Sequence, residues 1–134
     1  RNFGEENLNY LTNSFFKGLI ENNSFASIPN MVKEIHFNDN HPENMNIKIL
    51  NTKTPFIDVF KGDKWHKEDK KTTIQKIVTK NFNLLDSKYN DDNIQKELTE
   101  DKKESYNNYK VQLQNNKKLV SNIVKNTEKI LEVN

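Results

Sequence analysis

The segment Ile35-His36-Phe37-Asn38-Asp39-Asn40-His41-Pro42-Glu43-Asn44-Met45-Asn46 gathers two of the chain's three histidines with Asn, Asp and Glu side chains. These residue types suit metal-assisted nuclease chemistry. In a ββα-metal site a histidine takes the proton of the attacking water. A metal held by carboxylate, Asn or His then stabilises the transferring phosphoryl group. His36, His41 and Asn44 are the candidates for those parts. The helix expected after the hairpin, however, offers Lys, Thr and Gln where a second His or Asp ligand belongs, and the one remaining histidine is His66. The preferred reading is structural. Pro42 stiffens a turn, and the Asn and His side chains satisfy backbone groups of a buried loop. On that reading no metal, cofactor or catalytic residue is expected.

A second chemistry lies just downstream. Lys61, Lys64, Lys67, Lys70 and Lys71 flank Trp65. Lysines beside an aromatic ring can bind single-stranded nucleic acid by phosphate contact and base stacking. The net charge is only +2, but residues 61–80 carry +4, against −2 before them and 0 after. Glu68 and Asp69 dilute this patch, and Lys76 and Lys80 fall opposite Ile74, Ile77 and Val78, where a solvated helix face belongs. Asp58 is a lone strand carboxylate. No Gly-rich phosphate loop and no Ser/His/Asp signature is present. No small-molecule substrate is evident.

Composition narrows the class further. The 134 residues suit one domain, or one domain with an extension, and 33% hydrophobic content implies a modest core. The absence of cysteine removes disulfides, thiolate metal sites and thiol nucleophiles, and favours an intracellular setting. No apolar run approaches a membrane span, and no signal-peptide pattern opens the chain. Arg1 is not a natural start, so a longer parent protein is expected. The 23 Asn, and a Lys set outnumbering one Arg, read as the imprint of an AT-rich genome.

The elements that must position these residues can be read from periodicity. Leu8, Leu11, Phe15, Phe16, Leu19 and Ile20 predict a helix over 5–22, with Asn2 and Glu5 at capping-box spacing. Ile28, Met31, Val32 and Ile35 predict a shorter one over 28–36, capped by Ser27. Residues 46–49, 56–60 and 64–65 alternate or are β-branched, and Gly62-Asp63 signals a tight hairpin. Trp65 in so short a sheet is expected in the core. After Gly62 neither Gly nor Pro recurs, which predicts helices to the end. A break is expected at Asn90-Asp91-Asp92, with Asp92 and Gln95 at capping-box spacing. Beyond it Tyr106, Tyr109, Leu113, Asn116, Val120, Ile123, Thr127 and Ile130 form a heptad seam of about four repeats, widened by Val124 and Leu131. That face can pack on the domain or on a partner helix. The sequence therefore reads as α+β: N-terminal helices, a two- or three-stranded antiparallel meander, then a long helical half. Residues 1–90 form the compact part and 91–134 the helical extension.

The motifs Phe3-Gly4-x-Glu6-Asn7, Ile35-His36-Phe37-Asn38, His41-Pro42-Glu43-Asn44-x-Asn46-Ile47 and Lys64-Trp65 resemble a domain of nucleocytoplasmic large DNA viruses of the mimivirus-like, AT-rich kind. The resemblance covers roughly residues 2–86. It implies a viral protein of the host cytoplasm or virus factory, with this domain following a C2H2-type zinc finger and a coiled coil. The family commonly has His where Met45 stands, and that departure favours a structural role for His36, Asn38, His41, Pro42, Glu43, Asn44, Asn46 and Trp65. The leading expectation is a non-enzymatic interaction or oligomerisation domain, binding another copy or another protein through Tyr106, Tyr109, Leu113, Val120, Ile123, Val124 and Ile130. Nucleic-acid binding through 61–80 is the alternative, and a ββα-type nuclease the second.

Overall fold

The computed structural model describes residues 1–133. Among them the chain forms six α-helices and one three-stranded antiparallel sheet, in the order α1 (Asn13–Glu21), α2 (Ser27–His36), a 3₁₀ turn (Pro42–Asn44), β1 (Ile47–Lys48), β2 (Phe56–Lys61), β3 (Lys64–Asp69), α3 (Lys70–Tyr89), α4 (Asp92–Gln95), α5 (Glu100–Asn115) and α6 (Lys117–Leu131). The fold is α+β, with a long helical C-terminal half. None of these helices is long and apolar enough to cross a membrane.

The sheet is ordered β1-β2-β3. Gly62 and Asp63 both take positive φ, 56° and 65°, the backbone of a type I′ turn whose twist matches its strands. Val59 pairs with both Ile47 and His66, and Phe60 with Trp65. Because strand side chains alternate, Ile47, Ile57 and Val59 share the inner face, where all three are buried. α3 packs on β2 and β3. Just beyond β1, Ile49 forms a parallel bridge with the segment after α6: its N–H donates to Leu131 O (2.8 Å), and the Val133 N–H donates to Ile49 O (3.0 Å). Side-chain periodicity carries no sign of this backbone pairing.

Two expected elements differ. The first helix starts at Asn13, not residue 5, with Thr12 as its cap: Oγ1 accepts from the Phe15 N–H (3.1 Å). Residues 2–10 instead run as an irregular strap, because their polar side chains bond locally and to the loop at 41–46. Asn7 Oδ1, for example, accepts from the Asn9 N–H (3.1 Å), a competitor to helical bonding. Second, the heptad stripe does not lie along one helix. Asn116 sits in extended backbone (φ −107°, ψ 97°), ends α5, and caps α6 by accepting from the Leu119 N–H. An Asn side chain that caps as well as Gly turns breaks the helix where no Gly or Pro announces it. α5 packs on α1, and α6 on α2 and α3. Likewise Asp91, not Asp92, caps α4.

One hydrophobic core runs from Phe16 to Leu131 and includes Ile28, Met31, Ile77, Leu85, Tyr106 and Ile123. Tyr106 is fully buried, stacks on Tyr89 at 4.1 Å, and donates its hydroxyl to Asp86 Oδ1 at 3.1 Å.

Candidate functional site

His36 ends α2 with its ring buried. Its Nδ1 lies 2.9 Å from Asn46 Oδ1 and 3.1 Å from the carbonyl oxygen of Asn44. Both partners accept only, so the proton sits on Nδ1 and that N–H donates to both. Burial lowers the His36 pKa from its ordinary value, and Lys80 adds to this, against the opposing pull of Glu6 and the bonds to Asn44 and Asn46. The ring is therefore neutral near pH 7.

Asn44 is the centre of the cluster and is wholly buried. Its Oδ1 accepts from the Asn7 N–H (2.8 Å) and its Nδ2 donates to the Asn7 carbonyl (2.7 Å). The amide thus imitates a neighbouring strand and pairs both backbone groups of one strap residue. Asn46 Nδ2 donates to Glu6 Oε2 (2.7 Å) and to the Asn2 carbonyl (3.2 Å). Asn7 Nδ2 donates to Glu43 Oε2 (3.1 Å), which also faces His41 Nδ1 at 3.2 Å. These bonds push the Glu43 pKa down to about 2, with the Asn7 amide the largest cause. His41 stacks flat on Tyr10 at 3.6 Å, and the Tyr10 hydroxyl donates to the Glu34 carbonyl (2.6 Å). Asn38 donates to Glu34 Oε1 (2.9 Å). Pro42 opens the 3₁₀ turn that carries Glu43 and Asn44.

The loop residues His36, His41, Glu43, Asn44 and Asn46 therefore come together, but around the strap. Asn2, Glu6, Asn7 and Tyr10 are the partners that periodicity concealed, because it had assigned most of them to a helix. The one available signal was the density of Asn and Glu at 2–7. Chemically the cluster joins two chain segments. The side-chain oxygens of Asn44 and Asn46 and Oε2 of Glu43 are all engaged with named donors. Among the described residues no three His, Asp or Glu side chains stand together as a metal site.

His36 makes stability depend on pH in a defined window. Its folded pKa lies below the ordinary 6.5. Above that value neither state is protonated and stability is full. Below it the unfolded chain takes a proton the folded chain refuses, so stability falls as pH falls. Urea midpoints should therefore decline from about pH 6.5 downward. In His36→Gln that decline should flatten while the acid loss from Glu43, which lies between pH 4.5 and about 2, persists. An identical slope in the variant between pH 6.5 and 5 would show that His36 titrates normally.

The lysine segment is divided. Lys61 pairs with Glu68 (3.2 Å) and Lys67 with Asp58 (3.3 Å). Lys70 is buried and donates to the Thr52 carbonyl (3.2 Å), because it lies on the inner side of the first turn of α3. That removes it from any phosphate-binding face. Lys64 and Lys71 are exposed and enter no ion pair among the described residues. Trp65, expected in the core, is 40% exposed on the outer face of the sheet, beside Phe60 at 5.5 Å and with Lys48 Nζ 4.1 Å over its ring. The strand is an edge strand, and its register turns Trp65 away from α3. Phe56 is 47% exposed on the same face.

In the C-terminal helices, Tyr106, Tyr109 and Ile123 are buried in the core, and Leu113, Val124 and Ile130 are partly buried against it. Val120 is half-buried between α3 and α5, beside Val78 and Leu113. These positions serve the domain's own packing.

Compared with protein-family models, curated proteins and solved structures, the chain matches none.

Proposed function

We propose that this chain is a non-catalytic interaction domain that meets a second copy of itself with the outer face of its sheet. The observation that supports this reading is the placing of Trp65, Phe60 and Phe56 on that face, Trp65 against Phe60 and Phe56 farther along β2, with Trp65 40% and Phe56 47% exposed. Grouped exposed aromatics mark contact surfaces, and Trp is over-represented where binding energy concentrates. The same face carries both signs of charge, and they are largely engaged within the fold: Lys67 pairs with Asp58 at 3.3 Å, and Asp69 caps α3. A face whose charges are largely balanced within the fold can meet its own copy with little like-charge repulsion. Association edge to edge is discouraged, since β3 presents Lys64 and Lys67 at the bare edge. The motif resemblance to the giant-virus domain supports a setting in a longer viral protein of the cytoplasm or virus factory, in gene regulation or factory organisation.

Light scattering over a dilution series tests it. The mass should rise toward a dimer at high micromolar concentration, and Trp65→Ser with Phe56→Ser should remain monomeric while folded. A strict monomer in the unaltered chain would end the self-association reading.

Lys48 over the Trp65 ring, with Lys64 and Lys71 nearby in sequence, favours a second reading, contact with single-stranded nucleic acid. Trp65 is the one tryptophan, so its emission reports directly. Quenching by an oligonucleotide that weakens steeply with salt would support this reading. Unchanged emission at low salt would remove it.

A further inference from the structure

Beneath the N-terminal strap lies a partly open pocket of about 130 Å³. Phe3, Leu8, Ile35, Ile77 and Leu84 supply apolar walls, and Glu6, His36, Lys80 and Asn81 the polar ones. The charged pair is largely self-neutralising: Glu6 Oε1 lies 3.8 Å from Lys80 Nζ, and Glu6 Oε2 accepts from the Gly4 N–H and Asn46 Nδ2, both at 2.7 Å.

The other two polar groups are incomplete. Asn81 is 5% exposed; its Nδ2 donates to the Ile77 carbonyl (2.9 Å), but Oδ1 has no partner. His36 is 3% exposed, and with its proton on Nδ1 the remaining nitrogen, Nε2, is a lone-pair acceptor with no partner among the described residues. A buried acceptor is normally satisfied, and Asn81 Oδ1 is one that is not; His36 Nε2, with no protein partner among the described residues, is a second acceptor on the same pocket. Water filling the pocket would face mostly apolar walls, where it finds too few partners.

We propose that this cavity is a binding site for a small neutral organic molecule, of single-ring or short-chain size, carrying a hydroxyl or N–H donor. The size follows from the volume, since an apolar cavity of roughly 150 Å³ holds benzene. The donor follows from Asn81 Oδ1 and His36 Nε2. Neutrality follows from the Glu6–Lys80 pair, which leaves no unopposed charge. The side chain of Lys80 is 54% exposed, so the pocket meets solvent on that side.

Phenol is the probe, with toluene as its match in size without the donor. Titrated into the full chain and followed by amide NMR shifts, phenol should saturate with changes centred on Phe3, His36 and Asn81. Toluene should bind at least tenfold more weakly. Asn81→Leu should lower phenol affinity about tenfold and leave toluene no weaker; Leu84→Trp, which fills the cavity, should abolish both. If Asn81→Leu fails to fold, the phenol–toluene comparison on the unaltered chain decides alone. Phenol shifts that do not saturate, or that centre elsewhere, overturn the site, and water is then its occupant. Toluene binding as tightly as phenol overturns the role of the two acceptors.

Discussion

A chain ended at residue 99 should lose cooperative unfolding altogether. The physical reason is the single core. α5 and α6 supply Tyr106, Tyr109, Ile123 and Leu131, each 6% exposed or less. Burying side chains of this size contributes roughly 1.5–3 kcal/mol each, so their loss removes about 8 kcal/mol. Net stabilities of small domains are only about 5–15 kcal/mol. The truncation also uncovers Ile28, Met31 and Val32, because α6 packs on α2, and it frees Ile49 from its backbone partners at Leu131 and Val133. Urea titration followed by far- and near-ultraviolet circular dichroism checks this. A sharp two-state transition in the shortened chain, within about 2 kcal/mol of the full one, would mean that the C-terminal helices are a detachable extension. A point variant gives a graded version. Tyr106→Ala should cost about 3–5 kcal/mol, through the lost stacking on Tyr89 and the cavity left behind. Tyr106→Phe should cost about 1–2 kcal/mol, since only the bond to Asp86 goes.

Asn44→Leu should be the most damaging change in the loop, at about 3 kcal/mol. Leucine has nearly the same size, so little volume is lost. What is lost is the pairing of the Asn7 N–H and carbonyl, and each buried backbone group left without a partner costs roughly 1–3 kcal/mol. Asn44→Asp should do no better, because a carboxylate can still accept from the Asn7 N–H but opposes its carbonyl. Hydrogen exchange distinguishes this from general destabilisation. The Asn7 amide should lose its protection in either variant under conditions where the Ile77 and Leu85 amides keep theirs. Retained protection at Asn7 would show that the strap is held by other bonds. By contrast Asn38, a surface bridge to Glu34, should be nearly neutral to substitution.

The α+β class, the order of elements, and the hairpin at Gly62-Asp63 were all legible from residue order. They depend on local physics: helical spacing at Ile28 to Ile35, alternation at Phe56 to Phe60, and a turn whose positive φ glycine and aspartate supply. The loop at 36–46 stood out for the same reason, as a concentration of side chains able to bond backbone. The first helix begins later than its spacing predicts, because Leu8 and Leu11 continue the spacing of Phe15 and Leu19 while the strap's polar groups find partners more than thirty residues away. Trp65 lies outside the core because burial on a small sheet depends on which face meets α3, and alternation defines two faces without saying which is inside.

The C-terminal stripe shows the same division most clearly. Its spacing established that residues 106–130 bury one helical face, and nothing in that spacing distinguishes the chain's own core from a partner helix. Asn116 decides it: by capping α6 it turns the stripe back on itself, so its two halves pack on different helices. The closing of Asn44 on Asn7, and the cavity that leaves His36 Nε2 and Asn81 Oδ1 unpaired, likewise exist only in three dimensions. Sequence determined which side chains must be buried or bonded, because that follows from their chemistry and local period. Tertiary structure alone decided with what, because their partners are distant in the chain and are selected by the whole core at once.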